Sequence, residues 1–297
     1  MNLKLIDAAI AAYADKLDDA DAARLAFFRA LWDVQAACAA EAPAPVAWEA
    51  PAPSDIRAAY EDARPVLGIA PVVVDADALA AALGKLAGVF ADAGGFPDSV
   101  VAAFARVKWD RVVRASDLAL AGSDPSAWLA DFAAVLADDG MAEDQAHLGA
   151  LAASLALKVQ LERPAQAALG ALRAAGAAEP HPLLCPVCGS APHLAHVGGT
   201  TSSAGRGRVL VCPQCAASWE FERVRCARCG TRNQAHLHFF NVEGDDAHRL
   251  ATCDECGGYI RTLYSEDALA PCSYEVEDVV MARLDAIAQD PGREGER

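Results

Sequence analysis

Apolar residues in the first 175 positions recur every three to four residues, the period that turns one face of a helix toward a core. Ile6, Ile10, Tyr13 and Leu17 form one such stripe, and Phe27, Leu31, Val34 and Cys38 the next. Leu79, Leu83, Leu86 and Phe90 make another, and Leu148, Leu151, Leu155 and Val159 a later one. Ala and Leu dominate this part, and both favour helix. Helix starts are expected where a side chain can accept a bond from the free first-turn N–H groups: at Ser54, at Asp75, and at Asp124 with Pro125 behind it. The helical period breaks twice. Glu41–Pro53 carries four prolines, which remove N–H donors and fix φ. It therefore reads as an extended connector, with Trp48 packing over the helices. The second break runs from Gly176 to Leu184 and contains Pro180 and Pro182.

Beyond that break the pattern alternates. Arg208–Cys212 and Ala235–Val242 read as strands. Helical spacing returns in the tail, where Val276, Val279, Val280, Leu284 and Ile287 share a face. The fold class this implies is α+β. An all-helical domain is expected over residues 1–180, small zinc-ribbon-like metal modules over 181–224 and 225–266, and a C-terminal helix and tail over 267–297.

Cysteine arithmetic supplies the chemistry. Eight of the ten cysteines lie in four C-x-x-C pairs, Cys185/Cys188, Cys212/Cys215, Cys226/Cys229 and Cys253/Cys256. A shift of 41 residues carries the first two pairs onto the last two, and Gly189 onto Gly230. Such register marks an internal duplication. Two residues between cysteines let a tight turn aim both sulfurs at one ion, and a following glycine allows a backbone angle that other residues resist. Two such knuckles complete a tetrahedral four-sulfur site suited to zinc or to a single iron. Sequential pairing, with one site per copy, is expected because each copy could then have folded alone; pairing of the two middle knuckles is the alternative. Four protein ligands leave no open position for a substrate water, so the sites point to a structural or electron-holding role and not to an enzyme.

Other candidates carry less. Cys38 sits on an apolar stripe and reads as a small buried hydrophobe, and Cys272 has no partner at ligand spacing. His193 and His196 follow the first knuckle, but the sulfur sets are already complete. His236 and His238 alternate on an expected strand and read as an ordinary strand face. The glycine-rich run Gly198–Gly207 lacks the Lys-Ser/Thr ending of a phosphate-binding loop and reads as a hairpin turn. Trp219, Phe221, Phe239, Phe240 and Tyr259 are expected to cover the small sheets.

Charge narrows the function classes. The net charge is −16, which disfavours general binding to phosphate backbones. From Cys185 to Arg261 there are eight arginines against seven acids and no lysine, so the cysteine region is near neutral. No secretory leader pattern opens the chain and no apolar run reaches membrane-spanning length, so no membrane insertion and a cytoplasmic location are expected. In that compartment clustered thiols point to metal before disulfides.

Taken together, Cys185-Pro-Val-Cys-Gly-Ser-Ala-Pro192, Cys212-Pro-Gln-Cys-Ala-Ala-Ser-Trp219, Arg223-Val-Arg-Cys-Ala-Arg-Cys-Gly230 and Cys253-Asp-Glu-Cys-Gly-Gly-Tyr-Ile-Arg261 resemble the formate dehydrogenase accessory proteins, the FdhE family. The tail Val276–Asp285 is similar too, with Glu277-Asp278 where the family tends to show paired aspartates. The resemblance implies tandem rubredoxin-like modules that bind two metal ions, iron in preference and zinc as the alternative. It also implies a maturation role, with the catalytic molybdenum subunit of formate dehydrogenase as partner, bound in the cytoplasm before export. The rival readings are a nucleic-acid-binding zinc-ribbon protein and a redox or electron-transfer protein using rubredoxin-type iron.

Overall fold

The computed structural model describes residues 1–41, 48–177, 181–198, 207–265, 267 and 270–288. Residues 42–47 of the connector, Pro180 in the second break and residues 199–206 of the glycine-rich run lie outside the described residues.

Among the described residues, ten helices make up the N-terminal part: α1 Leu3–Ala11, α2 Asp19–Glu41, α3 Pro53–Glu61, α4 Val66–Ile69, α5 Ala76–Asp92, α6 Asp98–Arg106, α7 Trp109–Ala115, α8 Leu118–Ser123, α9 Pro125–Asp138 and α10 Glu143–Ala174. Two of the expected starts are seen. The Asp75 side chain accepts from the N–H groups of Asp77 and Ala78, and Asp124 accepts from Ala127 with Pro125 at the first helical position. At α3 the start falls earlier than Ser54. Pro53 opens the helix there, its missing N–H being one of those a helix leaves free anyway. The stripe from Ile6 to Leu17 is not one helix, since α1 stops at Ala11, yet all four residues still pack in one cluster.

The core of the bundle is as patterned on α5, where Leu79, Leu83, Leu86 and Phe90 are at most 1% exposed. It differs on α10. Leu151 is 42% exposed, and the buried face is Ala152, Ala153, Ala156, Leu157, Leu161, Ala165 and Ala168. Small side chains let this long helix lie close to α5 and α9, which pack against it. Trp48 packs against the same core and donates its indole N–H to the Ala70 carbonyl at 2.9 Å, as expected of it.

The cysteine-bearing half holds six strands among the described residues: β1 Leu194–Gly198, β2 Arg208–Val211, β3 Ser218–Phe221, β4 Leu237–Phe240, β5 His248–Cys253 and β6 Tyr259–Ser265. A 3-10 turn over Gln234–His236 takes the beginning of the strand expected from Ala235. The strands form one sheet in the order β3-β2-β1-β6-β5-β4. Each copy of the duplication contributes an antiparallel three-stranded half, and β1 joins β6 in parallel with Leu194 opposite Arg261. The copies are thus added head to tail. β3 and β4 remain as the edges of the sheet.

The 41-residue shift holds at the cysteines and between the second and third strands, where Val209 faces Glu220 and Leu250 faces Arg261. It fails at the first strand. Leu194 pairs with Val211, but Thr252, the image of Val211, pairs with His238, three residues beyond the image of Leu194. The three residues of the 3-10 turn match this slip.

The tail is two short helices, α11 Tyr274–Val280 and α12 Ala282–Ala288, in place of one. Val276, Val279 and Val280 pack against α1 and α2, whereas Leu284 packs with Leu194, Val211 and Leu250 of the sheet. A buried polar cluster ties these parts together. His248 of β5 is 2.8 Å from Asp245 through Nδ1 and 2.9 Å from Glu277 of α11 through Nε2. The Tyr13 hydroxyl donates to Glu277 at 2.8 Å, and Arg283 bonds Asp245. Burial opposes a charge on His248, but the carboxylates of Glu277 and Asp245 outweigh it and raise its pKa. A raised folded pKa stabilises fully below the unfolded value of about 6.5 and is lost as pH climbs through the folded one. The melting temperature is therefore expected to fall by a few degrees as pH rises through that window. His248→Gln should flatten that dependence in thermal melts recorded across the pH series.

Candidate metal centres

Each knuckle is built alike. The N–H of the first cysteine donates to the carbonyl five residues on: Cys185 to Ser190, Cys212 to Ala217, Cys226 to Thr231 and Cys253 to Gly258, all at 2.8–3.0 Å. Such a closed turn needs a left-handed residue just after the second cysteine, and φ is +80° at Gly189, +81° at Gly230 and +68° at Gly257. The second knuckle departs from this rule, since Ala216 adopts φ +58° without being glycine. Ala216→Gly is expected to relieve that strain and stabilise the chain by about 1 kcal/mol. A denaturant titration with an unchanged midpoint would show that the alanine is not strained.

The cysteines gather in sequential sets. Cys185, Cys188, Cys212 and Cys215 form one group and Cys226, Cys229, Cys253 and Cys256 the other, with all sulfurs of a group within 4.8 Å of one another. The middle knuckles do not pair with each other. Cys188 and Cys212 sulfurs are 3.5 Å apart and Cys185 and Cys215 3.6 Å; in the second group Cys229–Cys253 is 3.8 Å and Cys226–Cys256 3.9 Å. A disulfide would require about 2.05 Å. A tetrahedron with metal–sulfur bonds of about 2.3 Å has edges of about 3.8 Å. All eight sulfurs therefore fit two four-coordinate cages, and each group can hold one metal ion.

The surroundings of the two cages differ. In the first, every cysteine is at most 1% exposed. The helices grip it. Val66 and Leu67 of α4 donate N–H bonds to the carbonyls of Pro186 and Val187, both at 2.9 Å. Ser126 of α9 donates to the Ser190 hydroxyl at 2.8 Å, and Ser154 of α10 donates to Gln214 at 2.6 Å. Gln214 returns an N–H to the Ser154 carbonyl at 3.2 Å. Burial pushes the Cys185 thiol well up, so a cation is the natural compensation for ionising all four sulfurs there.

In the second cage Cys226 and Cys253 are buried but Cys229 and Cys256 are exposed. Backbone N–H groups point at its sulfurs, Arg228 to Cys226 at 3.3 Å and Gly258 to Cys256 at 3.4 Å. Burial works against ionisation of Cys226, but the N–H groups of Cys229 and Arg228 prevail and bring its pKa to about 7.

The remaining candidates stand apart. His196 bonds Tyr274 and Ser265, His193 contacts the Val211 carbonyl, and His238 pairs with Asp254. None of these histidines joins a cage. Cys38 is half-buried against the bundle core, and burial holds the Cys272 thiol up at about 12. Trp219 and Phe221 cover the first half of the sheet, whereas Phe239 on the β4 edge is 61% exposed.

No family model matches the chain. It is 33% identical over 109 residues to the protein called FdhE homolog of Aquifex aeolicus, covering 36% of this chain and 38% of that one. It is 37% identical over 112 residues to the FdhE homolog of Stutzerimonas stutzeri, covering 37% and 35%. The identity to Protein FdhE of Escherichia coli O1:K1 is 37% over 84 residues, covering 28% and 26%. The chain thus matches less than two-fifths of the length of these curated relatives. Its fold is that of the crystal structure of the FdhE protein from Pseudomonas aeruginosa, with TM-score 0.51 and 19% identity over 96% of this chain and 87% of that one. The resemblance to the FdhE family drawn from the cysteine motifs is borne out by these matches.

Proposed function

Since the chain resembles the FdhE proteins in sequence and in fold, we propose that it is an accessory protein required for active formate dehydrogenase. In this reading it binds the enzyme's catalytic subunit in the cytoplasm before export and catalyses no reaction itself. The observation that carries the proposal is the pair of four-thiol cages, one sealed and one at the surface. Four protein ligands close a metal's coordination sphere, which suits holding over turnover. A sealed cage can only stabilise the fold, whereas an exposed one can also meet another protein. Iron held between the thiolates is the favoured occupant and zinc the alternative. The absence of any helix long and apolar enough to cross a membrane, among the described residues, agrees with a partner met outside the bilayer.

Deleting the gene is expected to abolish formate dehydrogenase activity while transcription of the catalytic subunit continues, and the tagged chain should retain that subunit in a pull-down. Full enzyme activity in the deletion strain would refute the proposal.

A further inference from the structure

The duplication gives β4 a counterpart in the first copy. Phe239 faces Ala251 of β5 as Ala195 faces Leu210 of β2, and Ala251 lies 41 residues after Leu210. β4 therefore stands where β1 stands. The outer edge of β1 receives β6 in parallel, with Ala195 opposite Thr262, and Ala195 is fully buried. The outer edge of β4 receives no strand among the described residues, and Phe239 is 61% exposed.

The backbone of this edge is free to pair. Asp254 donates its N–H to the His236 carbonyl at 2.9 Å. In an alternating antiparallel ladder, His238 then turns its backbone groups toward β5, and Leu237 and Phe239 turn theirs outward. The Leu237 N–H closes the 3-10 turn, which leaves the Leu237 carbonyl and both groups of Phe239. Exposed edges are commonly blunted by lysine, other charges or proline, and Leu237-His-Phe-Phe240 carries none of these.

The face beside the edge continues an existing interface. Ile260, Ala251 and Phe239 form a row across β6, β5 and β4. Ile260 is buried in the core shared with the bundle, Ala251 is half-buried against it, and Phe239 ends the row in solvent. A cavity of about 310 Å³ opens here, walled in part by Leu237, Phe239 and Val224, the last 48% exposed. No acidic residue lines it, although the chain carries a net charge of −16. Arg223 is exposed in its wall, Arg228 bonds the Tyr259 carbonyl, and Arg249 bonds the Asp246 carbonyl with its guanidinium over the Phe239 ring. No carboxylate offsets these three charges among the described residues, whereas four thiolates around a divalent ion would leave about two negative ones nearby. We propose that β4 is a docking edge for an extended, acidic segment of a partner protein, which adds a strand in parallel as β6 does to β1 and seats alternate apolar side chains in the cavity. The inference rests on the accessory reading and takes the catalytic subunit as that partner.

The test is a pull-down of the catalytic subunit with the metal-loaded full chain, followed by amide exchange of the complex. The parent should retain the subunit, and exchange at Phe239 should slow about tenfold or more on binding. Phe239→Pro removes an outward N–H without breaking a bond to β5, and should cut the subunit retained about tenfold or more while metal content and melting temperature stay as in the parent. Phe239→Ala keeps the backbone and should cut it severalfold. A parent that retains no subunit would overturn this inference together with the accessory reading. Retention by the parent, with Phe239 unprotected and both variants unaffected, would overturn the inference alone. Protection of Phe239 in the free chain that rises with its concentration would assign the edge to a second copy, which is equally contrary.

Discussion

Serine in place of Cys212 is expected to cost the chain its fold. Cys212 is 1% exposed and belongs to the same continuous core as Leu157 and Leu161 of the bundle. The cage it completes is the point at which α4, α9 and α10 hold the metal half. A serine hydroxyl there is a poor ligand, and the remaining sulfurs stay buried around a weakened or lost ion. Apparent binding energies of structural zinc in small modules are about 10–16 kcal/mol, and whole domains are stable by roughly 5–15 kcal/mol. Loss of even half of the former consumes most of the latter. Circular dichroism of Cys212→Ser should show no cooperative melt, or the variant should be found only in the insoluble fraction. A cooperative melt within a few degrees of the parent would mean that the sealed cage does not hold the two halves together.

Cys256→Ser is expected to behave in the opposite way. Its sulfur belongs to the exposed cage, and the nearby β4 edge contributes little buried surface. Removing this ligand should halve the metal content while the helical signal melts within several degrees of the parent. The same asymmetry predicts two phases under chelation, a fast one from the second cage and a slow one that coincides with unfolding. Metal analysis of the purified variant together with its melting curve checks both statements. Loss of both ions from Cys256→Ser, or a single chelation phase, would mean that the cages act as one unit.

The site was more legible in the sequence than the fold was. Ligand spacing is local: C-x-x-C followed by glycine encodes its own turn, and the 41-residue register paired the cysteines correctly. What lay between them was not local. The parallel pairing of β1 with β6 joins strands about 65 residues apart, and no short pattern announces it. The slip at β4 was hidden because the cysteines keep their register on either side of it. On α10 Leu148 and Leu155 pack against the core but Leu151 does not, because the alanines beside them make the close helix contact, and alanine suits such a contact as well as an exposed face. The departure at Ala216 is visible only once φ is known. The different burial of two cages with the same ligand spacing depends on which copy meets the bundle, which a duplicated motif cannot reveal.

Eight cysteines that hold two ions in separate four-sulfur cages would make this chain a two-metal protein. Metal analysis of the parent chain purified without air, paired with a thiol titration of the native protein, tests it most directly. Two ions of iron or zinc per chain are expected, with the four sulfurs of the sealed cage unreactive until the protein unfolds. A folded chain without stoichiometric metal, and with the sulfurs of both cages free to react, would contradict it.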